Sequence, residues 1–142
     1  VMQYTTDLPP SEKLFQLFLS TGWNREYRLT EARYRIAVSS SFFSVSAWDG
    51  DTLTGFGRMV SDGVIYGMIY EMMVLPEYQG RGIGSEILTR LISHAREREL
   101  RELQLFCAAG KSSFYEKHGF QRREQNAPGM ILSFCGGPVD EQ

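Results

Sequence analysis

The chain has little of what would mark it for several common roles. Its two cysteines, Cys107 and Cys135, are too few for a disulfide-built scaffold, and Cys107 sits in an apolar run of strand type, so free thiols in a reducing cytoplasm are the expectation. Only two histidines are present and no spacing of His, Cys, Asp or Glu resembles a metal motif, so no metal is expected. No apolar run nears the roughly 20 residues that cross a bilayer, and Val1 to Pro10 does not read as a signal peptide. Formal net charge is only −2, with Lys and Arg dispersed, which disfavours nucleic acid and membrane surfaces as partners. Repeats, linkers and low-complexity stretches are also missing.

What remains is a chain of 142 residues, 42% hydrophobic, enough for one domain (1–142) with a real core. Val1 to Thr6 reads as a short edge strand. From Glu12, the apolar residues Leu14, Phe15, Leu17, Phe18 and Leu19 recur at helical spacing up to Thr21-Gly22. Thr30 is a good N-cap for a second helix through Tyr34 to Val38. Phe42 to Trp48, the turn Asp49-Gly50-Asp51, and Leu53 to Val60 form a hairpin, and Ser61-Asp62-Gly63 leads into Val64 to Leu75. That third strand is long enough to expect a bulge or splay near its end.

Beyond Pro76 comes Gln79-Gly80-Arg81-Gly82-Ile83-Gly84-Ser85, which opens a helix with the apolar stripe Ile83, Ile87, Leu88, Leu91, Ile92 and Ala95. Glycine at alternate positions lets successive backbone N–H groups point at one ligand, and the helix adds the positive end of its dipole. The stretch reads as an anion-binding loop suited to a pyrophosphate, with Arg81 as added charge. A P-loop would need Gly-Lys-Ser/Thr, and a dinucleotide fingerprint would need Gly-x-Gly-x-x-Gly; neither is present. After the helix, Leu103 to Ala108 is a strand in parallel crossover, Ser112 or Ser113 caps a short helix through Tyr115 and His118 to Gly119, Phe120 to Arg123 and Met130 to Phe134 form a last β pair, and Gly136 onward is a frayed tail.

Gln79-Gly80-Arg81-Gly82-Ile83-Gly84, with Val74-Leu75-Pro76-Glu77-Tyr78 before it, resembles the Gln/Arg-x-x-Gly-x-Gly/Ala signature of the GCN5-related N-acetyltransferase (GNAT) superfamily. A second segment, Phe114-Tyr115-Glu116-Lys117-His118-Gly119-Phe120, is similar to that family's Phe-Tyr-x-x-x-Gly-Phe. Gly22-Trp23-Asn24 and the helix after it look like a small-amine subgroup. The resemblance implies an α/β (α+β) fold: a mixed sheet of about six to seven strands, splayed between the fourth and fifth, with helices on both faces.

It also implies transfer of acetyl from acetyl-CoA to a primary amine, with a small molecule as acceptor and a protein N-terminus or lysine as the alternative. A non-catalytic acyl-CoA sensor is a further alternative, because the family's Asn after the fifth strand is replaced here by Ala108-Ala109-Gly110-Lys111. By the same resemblance the cofactor contacts fall on Met72, Met73, Val74, Gln79, Gly80, Arg81, Gly82, Ile83, Gly84, Ser85, Ala109 and Tyr115. Backbone groups of Met72 and Val74 would meet the acetyl carbonyl and pantetheine, and Tyr115 would be the general acid.

Glu71, a carboxylate inside an apolar strand, is a candidate base or else the partner of a buried arginine such as Arg58. Tyr70, on the opposite face of a regular strand, would line the acceptor pocket; Trp23, Tyr27, Tyr34 and Tyr66 either reach that acceptor side or belong to the core. His94 and His118 read as surface residues. Relatives are often dimers, and a homodimer is carried by analogy alone.

Overall fold

The computed structural model describes residues 1–135, which fall into two compact units divided between Gln104 and Leu105. The first holds a five-stranded sheet in the order β1-β2-β3-β4-β5, formed by Met2–Thr5, Phe43–Asp49, Thr52–Ser61, Tyr66–Val74 and Glu102–Gln104. Strands β1 to β4 are antiparallel neighbours, and β5 lies parallel to β4 after a helical crossover. The sheet is therefore mixed, and the fold is α+β.

Helices cover both faces. Helix α1, Ser11–Ser20, and helix α3, Glu31–Ser39, bury Leu14, Leu17, Phe18, Tyr34 and Val38 against Leu53, Phe56 and Met73 of the sheet. Thr30 caps α3 as its sequence suggests, its side chain accepting from the Arg33 N–H at 3.2 Å. Between them Asn24–Tyr27 makes one short helical turn, α2, held by the Asn24 side chain, which donates to the Leu29 carbonyl at 3.0 Å and accepts from its N–H at 2.8 Å.

Helix α4, Ile83–Glu97, lies on the other face and buries Ile83, Ile87, Leu88, Leu91 and Ala95. Two glycines of β3 set how closely it approaches. A Cβ on Gly55 would stand 2.9 Å from Ile87 Cδ1 and 3.0 Å from Ile83 Cγ2; one on Gly57 would stand 2.7 Å from Met72 Sδ and 2.9 Å from Ile87 Cγ2. Neighbouring Phe56 packs with α1 and α3 on the opposite face, as strand alternation requires. No helix among the described residues is long and apolar enough to cross a membrane.

The expected bulge is present near the end of β4. Phe56 pairs with Met73 and Arg58 with Tyr70, so Gly57 alone faces both Glu71 and Met72. Glu71 takes the left-handed backbone conformation there, with φ of 48°. Strand β5 pairs β4 only from Tyr66 to Met68, while β4 runs on to Val74.

The C-terminal part differs from expectation. Strand β5 ends at Gln104 instead of Ala108, and the β pair Phe120–Arg123 with Met130–Phe134 does not form among the described residues, which leaves five strands rather than six or seven. An isolated two-stranded hairpin is marginal, and this stretch is interrupted by a turn, with Ala127 donating to the Glu124 carbonyl at 3.0 Å, followed by Pro128-Gly129. Met130, Ile131, Leu132 and Phe134 are exposed. The tail expected from Gly136 lies outside the described residues.

Gly55→Val should lower unfolding free energy by about 1–3 kcal/mol, the usual cost of overpacking a close contact, because Ile83 and Ile87 must give way. Urea unfolding followed by circular dichroism checks this, and an unchanged midpoint would show that α4 does not depend on the close approach.

Candidate active site

The glycine loop joins the end of β4 to the start of α4. After Val74, a 3-10 turn at Pro76–Tyr78 leads into Gln79, whose side-chain amide donates back to the Val74 carbonyl at 3.1 Å and so ties the loop to the strand. Gly80 and Gly82 have φ of 80° and 83°, left-handed values that glycine adopts without the cost a side chain incurs, and a Cβ at either would meet nothing within 4 Å. Space above them is therefore open.

Gly82 is the N-cap of α4, and the first-turn N–H groups that follow have no acceptor within a helix. Ile83 turns its side chain into the core, 3% exposed, so only its main chain is available to a ligand. The Arg81 guanidinium is folded back, donating to the Glu77 carbonyl at 3.0 Å and lying 4.7 Å over the Tyr78 ring. This cradle of main-chain donors at a 15-residue helix fits a diphosphate by its chemistry.

Beyond the part of β4 that pairs with β5, Met72 and Met73 spend their side chains on packing: Met73 is buried, and Met72 reaches under Gly57. What that stretch can offer a ligand is backbone.

Glu71 sits in the bulge, and the arginine that the sequence named as its alternative partner is there. Arg58 Nε donates to Glu71 Oε1 at 2.6 Å, with side chains only 12% and 13% exposed. Removing one partner of such a pair costs about 3–5 kcal/mol, because the other charge is left buried alone. The Tyr34 hydroxyl donates to the same oxygen at 3.3 Å. Burial, and then the Glu71 charge, pushes the Tyr34 phenol well above its usual range, so it keeps its proton and acts as a donor.

The bulge also corrects the expected direction of Tyr70. Instead of facing away from Glu71 as in a regular strand, its ring lies 5.8 Å from the same Arg58 guanidinium. For Tyr34 the core alternative holds: its ring is buried and stacked on Phe18 at 4.2 Å, and its hydroxyl reaches Glu71. Trp23, Tyr27, Tyr66 and Tyr70 remain exposed, and Trp23 packs edge-on to Phe18 at 6.4 Å. His94, expected at the surface, is half-buried and stacked on Phe43 at 3.6 Å; burial holds its imidazole below the ordinary value. The role of the Tyr34 hydroxyl was not foreseen, although Tyr34 and Val38, four residues apart on a capped helix, do mark an inward face.

In the second unit, helix α5, Ser112–Glu116, carries Tyr115. Its ring lies edge-on to Phe114 at 5.0 Å and to Phe120 at 6.0 Å, so the Phe-Tyr and Gly-Phe parts of the motif hold one another. Burial, with a smaller contribution from Cys107, raises the Tyr115 phenol above its ordinary value. It therefore carries its proton at neutral pH. Ala109 precedes a turn in which Gly110 has φ of 78°, and Ala109 is exposed. His118 is half-buried and lies 5.3 Å from the Phe114 ring.

Comparison with known proteins agrees with this geometry. A probable acetyltransferase from Meticillin-Resistant Staphylococcus aureus superposes with a TM-score of 0.83 at 25% identity, over 94% of this chain and 100% of that one. An uncharacterized ycf52-like N-acetyltransferase of Prochlorococcus marinus is 32% identical over 120 residues, covering 82% of this chain and 63% of its own length. A Glycine max protein named as histone acetyltransferase TAP1 is 31% identical over 118 residues, 78% of this chain and 51% of that one. This chain thus spans between half and two thirds of those two relatives. Residues 9–120, which include both the glycine loop and the Tyr115 segment, match the acetyltransferase (GNAT) family, and the chain belongs to that family.

Proposed function

We propose that the chain is an acetyl-CoA-dependent N-acetyltransferase that moves acetyl directly to the primary amine of a small molecule. The observation that carries this reading is the open loop at Gly80 and Gly82, which leads from the free edge of β4 into the N-terminus of α4. When bound, acetyl-CoA would supply the activated thioester. The main-chain N–H groups from Gly80 to Ser85 would hold its diphosphate, and backbone groups of Met72 and Val74 would hold the acyl and pantetheine part. Ala109 would border the cofactor through its main chain.

Glu71 is assigned as the group that meets the acceptor amine, and Tyr115 as the acid that gives its proton to the departing thiolate as the C–S bond breaks and the C–N bond forms. Trp23, Tyr27 and Tyr70 are assigned to the acceptor side on account of their exposure. The small-amine assignment rests on the Gly22-Trp23-Asn24 segment. Acetylation of a protein amine is the second reading, favoured by the name of the Glycine max relative. Two free thiols suit a reducing compartment such as the cytoplasm.

Calorimetry with acetyl-CoA tests the loop. Gly82→Asp should weaken binding about tenfold or more, because it sets a negative charge among the N–H donors. A left-handed non-glycine residue costs roughly 1–2 kcal/mol of stability, so circular dichroism should still show the native fold. An unchanged dissociation constant would remove the diphosphate from this loop.

Tyr115→Phe should lower the turnover number by about 10²–10⁴-fold, the range for losing a general acid, and leave acetyl-CoA affinity nearly unchanged, since the proton is needed only as charge develops on sulfur. Single-turnover thiol release isolates the chemical step. A wild-type rate there would return Tyr115 to a packing role.

A further inference from the structure

We infer that Arg58 and Tyr34 are positioning residues for Glu71, together occupying one carboxylate oxygen so that the other is presented to an acceptor that arrives as a primary ammonium ion. The inference rests on the acyl-transfer reading and deepens it by naming the acceptor's charge and the residues that prepare its contact.

The bulge supplies the first part of the argument. In a regular strand Glu71 and Tyr70 would point to opposite faces. The extra residue opposite Gly57, with Glu71 at φ of 48°, brings the Glu71 carboxylate and the Tyr70 ring to one arginine. A non-glycine residue in that conformation persists where its surroundings over-determine it. Here the surroundings are Arg58 and Tyr34.

Arg58 is itself fixed from a second element. Its Nη1 donates to the Ala37 carbonyl at 3.3 Å and to Ser41 Oγ at 3.4 Å, at the C-terminal end of α3 where the helix dipole favours a cation. The guanidinium thus spans from α3 to β4, and its Nε reaches Glu71 Oε1 at 2.6 Å. Tyr34 comes from the middle of the same helix, its ring stacked on Phe18 with an interplanar angle of 14° and its hydroxyl on the same Oε1. The orientation of the carboxylate is therefore set by three elements of the fold.

Both bonds fall on Oε1. Among the described residues Oε2 accepts from none, and the Glu71 side chain retains 13% exposure, so it is reached by solvent. A carboxylate has about four lone-pair sites, and those on Oε2 are left for a donor from outside. A primary ammonium brings three donors and the matching charge. Exposed aromatic surface is connected to this point through packed rings: Trp23 against Phe18, Phe18 against Tyr34, and the Tyr34 hydroxyl on Glu71. Such surface suits the hydrocarbon part of an amine. If the bound ammonium passes one proton to Oε2, a neutral amine and a carboxylic acid result, and the amine lone pair is free to attack the thioester.

The test is a mutant cycle on the full chain. Wild type is first assayed by thiol release from acetyl-CoA with 2-phenylethylamine, spermidine, Nα-acetyllysine amide and an alanine tripeptide amide. On the best of these, Tyr34→Phe, Arg58→Lys and Glu71→Gln are measured singly, and the first two again in the Glu71→Gln background. Tyr34→Phe keeps the stacked ring and removes only the hydroxyl, so it is the variant least exposed to misfolding.

The expected result is a loss of about tenfold in kcat/KM for the amine in Tyr34→Phe and in Arg58→Lys, the scale of one hydrogen bond to a charged group. Acetyl-CoA affinity should not change, and neither substitution should cost more once Glu71 is Gln. Losses that multiply in the double variants, or wild-type kcat/KM in both singles, would overturn the inference while leaving acyl transfer intact. A wild type that binds acetyl-CoA and acetylates none of the four amines would overturn the amine-transfer reading and this inference with it.

Discussion

The bulge opposite Gly57 is the constraint on which the rest of the site depends. One extra residue in β4 does two things within a single strand. It turns Glu71 toward Arg58, and it sends the Met72 side chain under Gly57 toward the helix face. Gly57 makes this geometrically possible, since a side chain there would occupy the volume that Met72 and Ile87 fill. A feature of the backbone register thus places a charged group on one face and a packing side chain on the other.

A second constraint is the seating of α4. Its helix rests on Gly55 and Gly57, so its axis lies close to the sheet, and Ile83 is drawn into the core directly after the glycine turn. The direction in which the first-turn N–H groups point is consequently determined by packing of Ile83, Ile87 and Leu91, not by any residue of the loop itself. Gln79 secures the other end through Val74. A loop with three glycines would otherwise be conformationally loose, and here it is held at both ends by rigid elements.

Much of this was legible in the sequence, for reasons that differ by element. The Ile83 to Ala95 stripe has the helical period, Thr30 has a cap's chemistry, and Asp49-Gly50-Asp51 has a turn's, so those elements lie close to where local rules place them. The Arg58 and Glu71 pair was visible as an alternative because an acid in an apolar strand needs a partner. Three things were not legible. The short helix α2 has no period to detect and depends on the Asn24 side chain closing on Leu29. The direction of Tyr70 follows the bulge, whose position depends on which residue of β3 lies opposite. The segments Phe120 to Arg123 and Met130 to Phe134 read as a β pair, but the stretch between them is polar and carries Pro128-Gly129, and pattern alone does not decide whether such short segments find each other.

A binding cradle made of main chain has a consequence for how the protein responds to its medium. Peptide amides do not titrate, and the one charged side chain in the loop is Arg81. Between Gly80 and Ser85 there is no ionisable side chain apart from that arginine. Acidity therefore leaves the loop's main-chain donors unchanged. Any proton-dependent behaviour of the protein itself must originate away from the glycines, among side chains such as His94 and Tyr115.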